Sequence, residues 1–134
     1  MMNRNPFTTS PHTSLEEVIY EMSQHRTSCA LVVEQLAEGD KSQLVGLFTE
    51  RDVVKLAASG GEIKGVKIAE VMTEKLITLQ EKEAKDIFFA LALMRQYRIR
   101  HLPIVDEKQQ LVGVMTPQTI RETLQPKDLL RDLR

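Results

Sequence analysis

The chain of 134 residues is predicted to be an α/β protein that contains two copies of a β-α-β-β-α unit. An apolar segment that ends in Gly-x-x-Thr occurs twice, and the helix and strand before it recur as well. The matching segments are 22–26 with 94–98, 30–34 with 102–106, and 44–49 with 111–116. Because one small unit alone buries little apolar surface, we expect the two sheets to pack face to face.

In the first half, apolar residues at helical spacing predict an amphipathic helix that begins after the N-cap residue Ser14. The aliphatic run 30–33 predicts a buried strand, 34–43 a polar turn and 44–48 a returning strand. A second helix follows and ends at Gly60-Gly61. The apolar residues of the two helices are Leu15, Val18, Ile19 and Met22, then Val53, Val54, Leu56 and Ala57.

The second half is predicted to repeat this order, with strands at 76–79, 101–105 and 110–115. Its helices are expected at about 82–97 and at 117–124. The predicted organisation is a first repeat at 7–59, a linker at 60–70, a second repeat at 71–124, and a tail at 125–134 that could lead to an effector domain.

Charge and composition exclude several classes of protein. Eighteen basic and nineteen acidic residues leave a net charge of −1, which does not favour binding to nucleic acid. Apolar stretches are shorter than the ~20 residues of a membrane span, and the N-terminus has no signal-peptide pattern. A lone cysteine, Cys29, fits a reducing compartment, so a cytoplasmic protein with no membrane contact is expected.

Thr49 and Asp52 follow the first Gly-x-x-Thr strand and have two interpretations. Threonine before a helix, with an acid three residues later, is ordinary helix capping. A carboxylate also accepts two donors at once, which suits the two hydroxyls of a ribose. In the second copy Thr116 is retained, but Thr119 stands in place of the aspartate and brings no charge.

A basic cluster precedes the strand at 101–105. Its members are Arg95, Arg98, Arg100 and His101. Such a cluster is either a solvated face, the simpler interpretation for Arg95, or a site for an anionic phosphate, because guanidinium groups donate bidentate hydrogen bonds.

No catalytic or metal-binding pattern is found in the sequence. Cys29 and His25 are four residues apart, but the helix is expected to end between them, so a buried structural thiol is the favoured interpretation. The three histidines lack metal-ligand spacing, and no phosphate-loop or dinucleotide-binding motif occurs. We therefore expect no enzyme activity, no metal and no required cofactor.

Three segments resemble tandem cystathionine-β-synthase (CBS) domains, the pair called a Bateman module. They are 45–52 (Val-Gly-Leu-Phe-Thr-Glu-Arg-Asp), 69–73 (Ala-Glu-Val-Met-Thr) and 98–106, with Leu102-Pro103-Ile104-Val105 at its centre. The resemblance implies two repeats with pseudo-twofold symmetry and two clefts between them. It also implies a non-catalytic regulatory sensor that binds AMP, ADP, ATP or S-adenosylmethionine, forms a homodimer and signals to a linked or separate effector.

The resemblance further implies roles for individual residues. Ribose contacts fall on Thr49, Asp52, Thr116 and Thr119, phosphate contacts on Arg98, Arg100 and His101, and the adenine pocket on Ile77 and Leu79 or on Phe7, Leu31 and Leu102. The positions in the first repeat that match Arg100 and His101 are the uncharged Ser28 and Cys29, so unequal clefts are expected. The alternative is a dimerising interaction scaffold that binds no nucleotide.

Overall fold

A computed structural model describes residues 1–35 and 42–123 of the chain. Within these ranges, two three-stranded sheets and their helices follow the order β-α-β-β-α twice, which confirms the predicted fold class. The centre of the predicted polar turn, residue Leu124 and the predicted tail at 125–134 lie outside the described residues. No helix in those two ranges is both long and apolar enough to cross a membrane.

The chain divides into two compact units. The first comprises Pro6–Leu76 with Lys108–Leu111, and the second comprises Met1–Asn5, Ile77–Glu107 and Val112–Arg134. The segment Met1–Asn5 therefore belongs to the same unit as Ile77–Glu107, although it is far from those residues in sequence.

The sheet of the first unit has the order β1-β2-β3, with β1 parallel and β3 antiparallel to β2. The elements of this unit are β1 (Thr8–Thr9), α1 (Leu15–His25), β2 (Cys29–Gln35), β3 (Ser42–Thr49) and α2 (Glu50–Ser59). Ser14 caps α1 as predicted, because its hydroxyl accepts a hydrogen bond from Glu17 N at 3.2 Å. Helix α2 ends at Gly60, whose φ of 73° suits glycine.

The core of the first unit includes a residue from the segment predicted to be a linker. Ile68 is fully buried and lies in the short 3₁₀ turn Ile68–Glu70. Its backbone nitrogen donates to Thr13 O at 2.9 Å, and Leu15 N donates to Val66 O at 2.8 Å. The rest of the buried cluster is formed by Leu15, Val18, Met22, Ala30, Val32 and Phe48. The segment after Gly65 is thus packed against α1 and the sheet.

The second unit repeats the arrangement with a sheet of order β4-β5-β6, in which β4 is parallel to β5. Its elements are β4 (Leu79–Gln80), α3 (Ile87–Tyr97), β5 (Leu102–Val105), β6 (Leu111–Met115) and α4 (Pro117–Thr123). Leu79, Ala84, Ala90, Met94, Leu102, Ile104, Met115 and Ile120 form its buried cluster. Leu111 clusters with the first unit, so β6 contributes to this one from Val112 onward.

Two predicted boundaries in the second half are wrong. The strand expected at 76–79 lies at Leu79–Gln80. The helix expected from residue 82 begins at Ile87, because the Asp86 carboxylate accepts a hydrogen bond from Phe89 N at 3.1 Å and caps the helix there. The charged run before it forms a separate 3₁₀ turn at Glu81–Glu83.

Candidate functional site

Thr49 and Asp52 lie together at the junction of β3 and α2. Asp52 Oδ2 accepts hydrogen bonds from the Thr49 backbone nitrogen at 2.9 Å and from the Thr49 hydroxyl at 3.1 Å. Asp52 N donates in return to Thr49 Oγ1 at 3.3 Å. Both residues are half-buried. The predicted cap is therefore complete in both directions, and it fixes the orientation of the Asp52 carboxylate.

This carboxylate retains capacity for further donors. Within residues 1–35 and 42–123, the second oxygen of Asp52, Oδ1, accepts no hydrogen bond. An ionised carboxylate offers about four acceptor sites and no donor. A half-buried carboxylate with one oxygen held by the backbone is suited to bind a ligand that presents adjacent hydroxyl groups.

The strand beside this motif carries no positive charge. Cys29 faces Thr49 across the sheet, and the Ser28 carbonyl accepts a hydrogen bond from Glu50 N at 3.0 Å. These are the positions that match Arg100 and His101 of the second repeat. A phosphate near the first motif would therefore gain no charged partner from this strand.

Cys29 is a buried thiol rather than an activated nucleophile. Its pKa is raised from 9.0 to about 11, because the increase caused by burial exceeds the decrease caused by the hydrogen bond with the Thr27 side chain. The thiol is therefore protonated at neutral pH. His25 contacts other groups: its Nε2 lies 3.2 Å from Glu21 Oε2 and its ring stacks on Phe7 with centroids 5.0 Å apart.

The second copy of the motif has the same backbone pattern with different chemistry. Thr119 N donates to Thr116 Oγ1 at 3.1 Å, and Thr116 N donates to Thr119 Oγ1 at 3.0 Å. The Thr119 hydroxyl also lies 2.7 Å from Met1 O, a shorter contact than the 3.0 Å to Thr116 O. The hydroxyl proton is therefore directed at a backbone carbonyl of the segment Met1–Asn5.

Three of the four residues of the basic cluster lie between α3 and β5. Arg98 ends α3 with a φ of 54°, and Arg26 ends α1 in the same way with a φ of 52°. Arg98 and Arg100 are exposed, and His101, directly before β5, is half-buried. Arg95 is exposed on α3 itself. The exposed guanidinium groups are accessible to an anion.

The apolar residues expected to hold adenine divide into two groups. Leu31, Leu79 and Leu102 are buried, and the latter two belong to the core of the second unit. Ile77 and Phe7 are only partly buried. Ile77 and Phe7 therefore retain accessible surface for contact with an adenine ring.

Sequence reasoning missed a segment that lies against each Gly-x-x-Thr strand. Thr73 exchanges backbone hydrogen bonds with Leu47 at 2.9 and 3.0 Å, and Asn3 does the same with Val114 at 2.8 and 2.9 Å. Each segment has a methionine followed by a small polar residue, Met72-Thr73 and Met2-Asn3. This repeated dipeptide is the signal that would have revealed them.

The family follows from comparison with known proteins. The family model described as the CBS domain matches residues 1–59 and 68–126. The chain belongs to the CBS domain family. An uncharacterized protein from Methanopyrus kandleri is 32% identical over 118 residues, which are 87% of this chain and 57% of that protein. The chain spans about half the length of the first curated relatives that it matches.

Solved CBS domain structures share this fold. The CBS domain pair of protein MJ0100, in complex with 5′-methylthioadenosine and S-adenosylmethionine, has a TM-score of 0.75 and 26% identity, over 90% of this chain and 92% of that one. A CBS domain protein from Pyrobaculum aerophilum, complexed with AMP, also has a TM-score of 0.75, with 23% identity over 97% of this chain and 92% of that one. At 23% identity, the similarity to the Pyrobaculum aerophilum protein concerns the fold alone.

Proposed function

We propose that this CBS domain protein is a regulatory module that binds an adenosine-containing ligand. The observation that carries the proposal is the Asp52 carboxylate, which is fixed through Oδ2 by two hydrogen bonds from Thr49. In this proposal Oδ1 and the Thr49 hydroxyl bind the two hydroxyls of a ribose. The ligands bound by the MJ0100 domain pair, which both contain adenosine, support this assignment.

The first motif is the stronger candidate because of its charge. A hydrogen bond to a charged group contributes about 1.5–3 kcal/mol, against about 1 kcal/mol for a neutral one. Asp52 provides such an acceptor, whereas Thr119 at the matching position is neutral and is directed at Met1 O. We therefore assign the nucleoside to Thr49 and Asp52.

We propose separately that Arg100 and His101, with Arg98 nearby, bind a phosphate or other anionic group. This assignment is supported by the basic residues directly before β5 and by the exposure of the guanidinium groups of Arg98 and Arg100. We expect Arg100→Ala to weaken the binding of inorganic phosphate by about tenfold and to leave adenosine binding unchanged. Arg95→Ala is the matched control, since it removes one exposed positive charge from α3 in the same region.

Ligand binding would regulate an effector by stabilising one conformation of the module over another. The effector is a linked domain or a separate protein. The proposal requires no catalysis by the module itself, because the two motifs consist of hydrogen-bonding groups and the buried thiol is protonated.

A dimerising scaffold that binds no nucleotide is the second candidate. It is favoured by the fact that two of the three hydrogen bonds between Thr49 and Asp52 are helix-capping contacts. Isothermal titration calorimetry with adenosine, 5′-methylthioadenosine, S-adenosylmethionine and AMP distinguishes the two, with guanosine as the control. Saturable heat for an adenosine compound supports the sensor, and its absence for all four compounds supports the scaffold.

A further inference from the structure

The second motif is covered by a strand-like segment of the same chain. Asn3 N donates to Val114 O at 2.8 Å, and Val114 N donates to Asn3 O at 2.9 Å. The approach requires glycine at position 113, because a Cβ there would lie 2.6 Å from Asn3 O and 3.0 Å from Met2 Sδ. The segment is therefore closely packed on β6.

The side chain that replaces aspartate in this motif binds the same segment. Thr119 Oγ1 donates to Met1 O at 2.7 Å. A hydroxyl can donate to a carbonyl, whereas an ionised carboxylate can only accept. An aspartate at this position would place two acceptors against each other. Threonine at 119 thus fits a backbone carbonyl, as aspartate at 52 fits hydroxyl donors.

The first copy of the motif has an overlying segment too, but in the described part of the chain its aspartate does not bind that segment. Thr73 pairs with Leu47 as Asn3 pairs with Val114, and the Met72 side chain lies against Gly46 as Met2 lies against Gly113. The described hydrogen bonds of Asp52, however, go to Thr49 and not to the segment around Met72. The overlying segment leaves the first motif available and engages the second.

We propose that Met1–Asn3 acts as an internal ligand that fills the second motif and closes it to nucleosides, so that the chain carries one nucleoside site. This inference rests on the proposed function for its ligand and on the contacts of Thr119 for its mechanism. The Met1 carbonyl oxygen accepts the hydrogen bond from Thr119 that a ribose hydroxyl would otherwise accept.

Amide hydrogen exchange followed by NMR on the full chain tests the mechanism without any ligand. Thr119→Val removes the contact with Met1 O, and we expect the Asn3 amide to exchange about fivefold faster, which corresponds to about 1 kcal/mol. Thr119→Ser restores the hydroxyl and the slow exchange. Thr116→Val is the matched control, because it removes a helix-capping hydroxyl but leaves the contact with Met1. Equal Asn3 exchange in Thr119→Val and in the wild type overturns the proposal.

Adenosine provides the second arm of the experiment. Saturating adenosine is expected to slow exchange around Thr49 and Asp52, to leave the Asn3 and Val114 amides unchanged, and to titrate at one equivalent per chain. Two equivalents, or faster Asn3 exchange on adenosine addition, overturn the closure of the second motif. If adenosine does not bind at all, the proposed function fails, and the Thr119→Val comparison still decides whether Thr119 holds the segment.

Discussion

One oxygen of Asp52, Oδ2, accepts two hydrogen bonds from a single residue, Thr49: from its backbone nitrogen at 2.9 Å and from its hydroxyl at 3.1 Å. This arrangement satisfies a backbone donor at the start of α2 and orients the carboxylate before any ligand arrives. Preorganisation of this kind lowers the entropic cost of binding. The residues of the helix cap are therefore also those of the proposed ligand site.

Replacement of Asp52 tests this dual role. Asp52→Ala is expected to weaken adenosine binding by about 10- to 150-fold, as expected for the loss of a charge-assisted hydrogen bond. It is also expected to lower the free energy of unfolding by about 1 kcal/mol, because the cap is lost. Calorimetric titration and urea denaturation measure the two effects.

Asp52→Asn separates the effect on adenosine binding from the effect on stability. An asparagine oxygen still accepts from Thr49 N, so stability is retained, while the neutral side chain is expected to weaken adenosine binding by about tenfold. Thr119→Ala is the control in the second repeat, and we expect it to leave adenosine affinity unchanged. Adenosine binding at wild-type affinity in Asp52→Ala would show that the first motif is only a helix cap.

Local sequence patterns predicted the parts of the structure that depend on neighbours in sequence. Thr49 and Asp52 are three residues apart, and their spacing alone predicted their contact. The start of α3 was missed because the charged run 81–86 is rich in helix-forming residues, while the Asp86 cap fixes the boundary at Ile87. The contact of Thr119 with Met1 joins distant parts of the chain, which no local pattern reveals.

Association of two copies is expected to involve α3. This helix leaves Phe88 84% exposed, with Phe89 and Leu91 exposed beside it at 41% and 38%. An apolar surface of this kind favours a protein interface. We expect light scattering to give a homodimer at micromolar concentration. Phe88→Ser should raise the dissociation constant of the dimer by at least about tenfold, because the variant loses apolar surface that the dimer buries.

A second variant distinguishes α3 from the other helices. Val54 on α2 is 66% exposed, so Val54→Ser removes a comparable exposed apolar group from a different element. We expect it to leave dimerisation unchanged. A monomeric wild-type protein of 15.3 kDa would contradict the prediction, and a dimer weakened by Val54→Ser alone would place the interface on α2.

The buried thiol predicts a loss of stability at alkaline pH. Burial raises the pKa of Cys29 from 9.0 to about 11, so the folded protein holds this proton more tightly than the unfolded chain. A raised pKa stabilises the fold fully below pH 9.0, and the stabilisation is lost as the pH rises to about 11. The expected loss is about 2–3 kcal/mol, from 1.36 kcal/mol per pKa unit.

Cys29→Ala isolates this effect from other groups that titrate in the same range. Lysine and tyrosine residues are common to both proteins, so their contributions cancel in the difference between the two free energies of unfolding. By urea denaturation, the difference in free energy of unfolding between the wild type and Cys29→Ala should be constant below pH 9.0. By pH 11 the wild type should have lost stability relative to the variant. A difference that is constant across the whole range would mean that the thiolate is as well solvated in the folded protein as in the unfolded one.

The glycines of the two Gly-x-x-Thr strands are expected to tolerate alanine unequally. At Gly113 a Cβ would meet the Asn3 backbone oxygen at 2.6 Å, whereas at Gly46 it would meet the side chain of Met72. A thioether side chain can adopt another rotamer, but the Asn3 backbone, which exchanges two hydrogen bonds with Val114, cannot move without breaking them. Gly113→Ala should therefore cost about 1–3 kcal/mol of stability, and Gly46→Ala less than about 1 kcal/mol.

Urea denaturation of the two variants measures these costs, and the Asn3 amide shows their cause. In Gly113→Ala the Asn3 amide should exchange faster because the added methyl group displaces the segment from Val114, while Gly46→Ala leaves Asn3 exchange unchanged. Combining Gly46→Ala with Met72→Ala forms a double-mutant cycle, in which the cost of the added methyl group should disappear once the longer side chain is removed. Equal destabilisation by the two single variants would contradict the distinction between a backbone and a side-chain neighbour, since both glycines are buried and both lie within a strand.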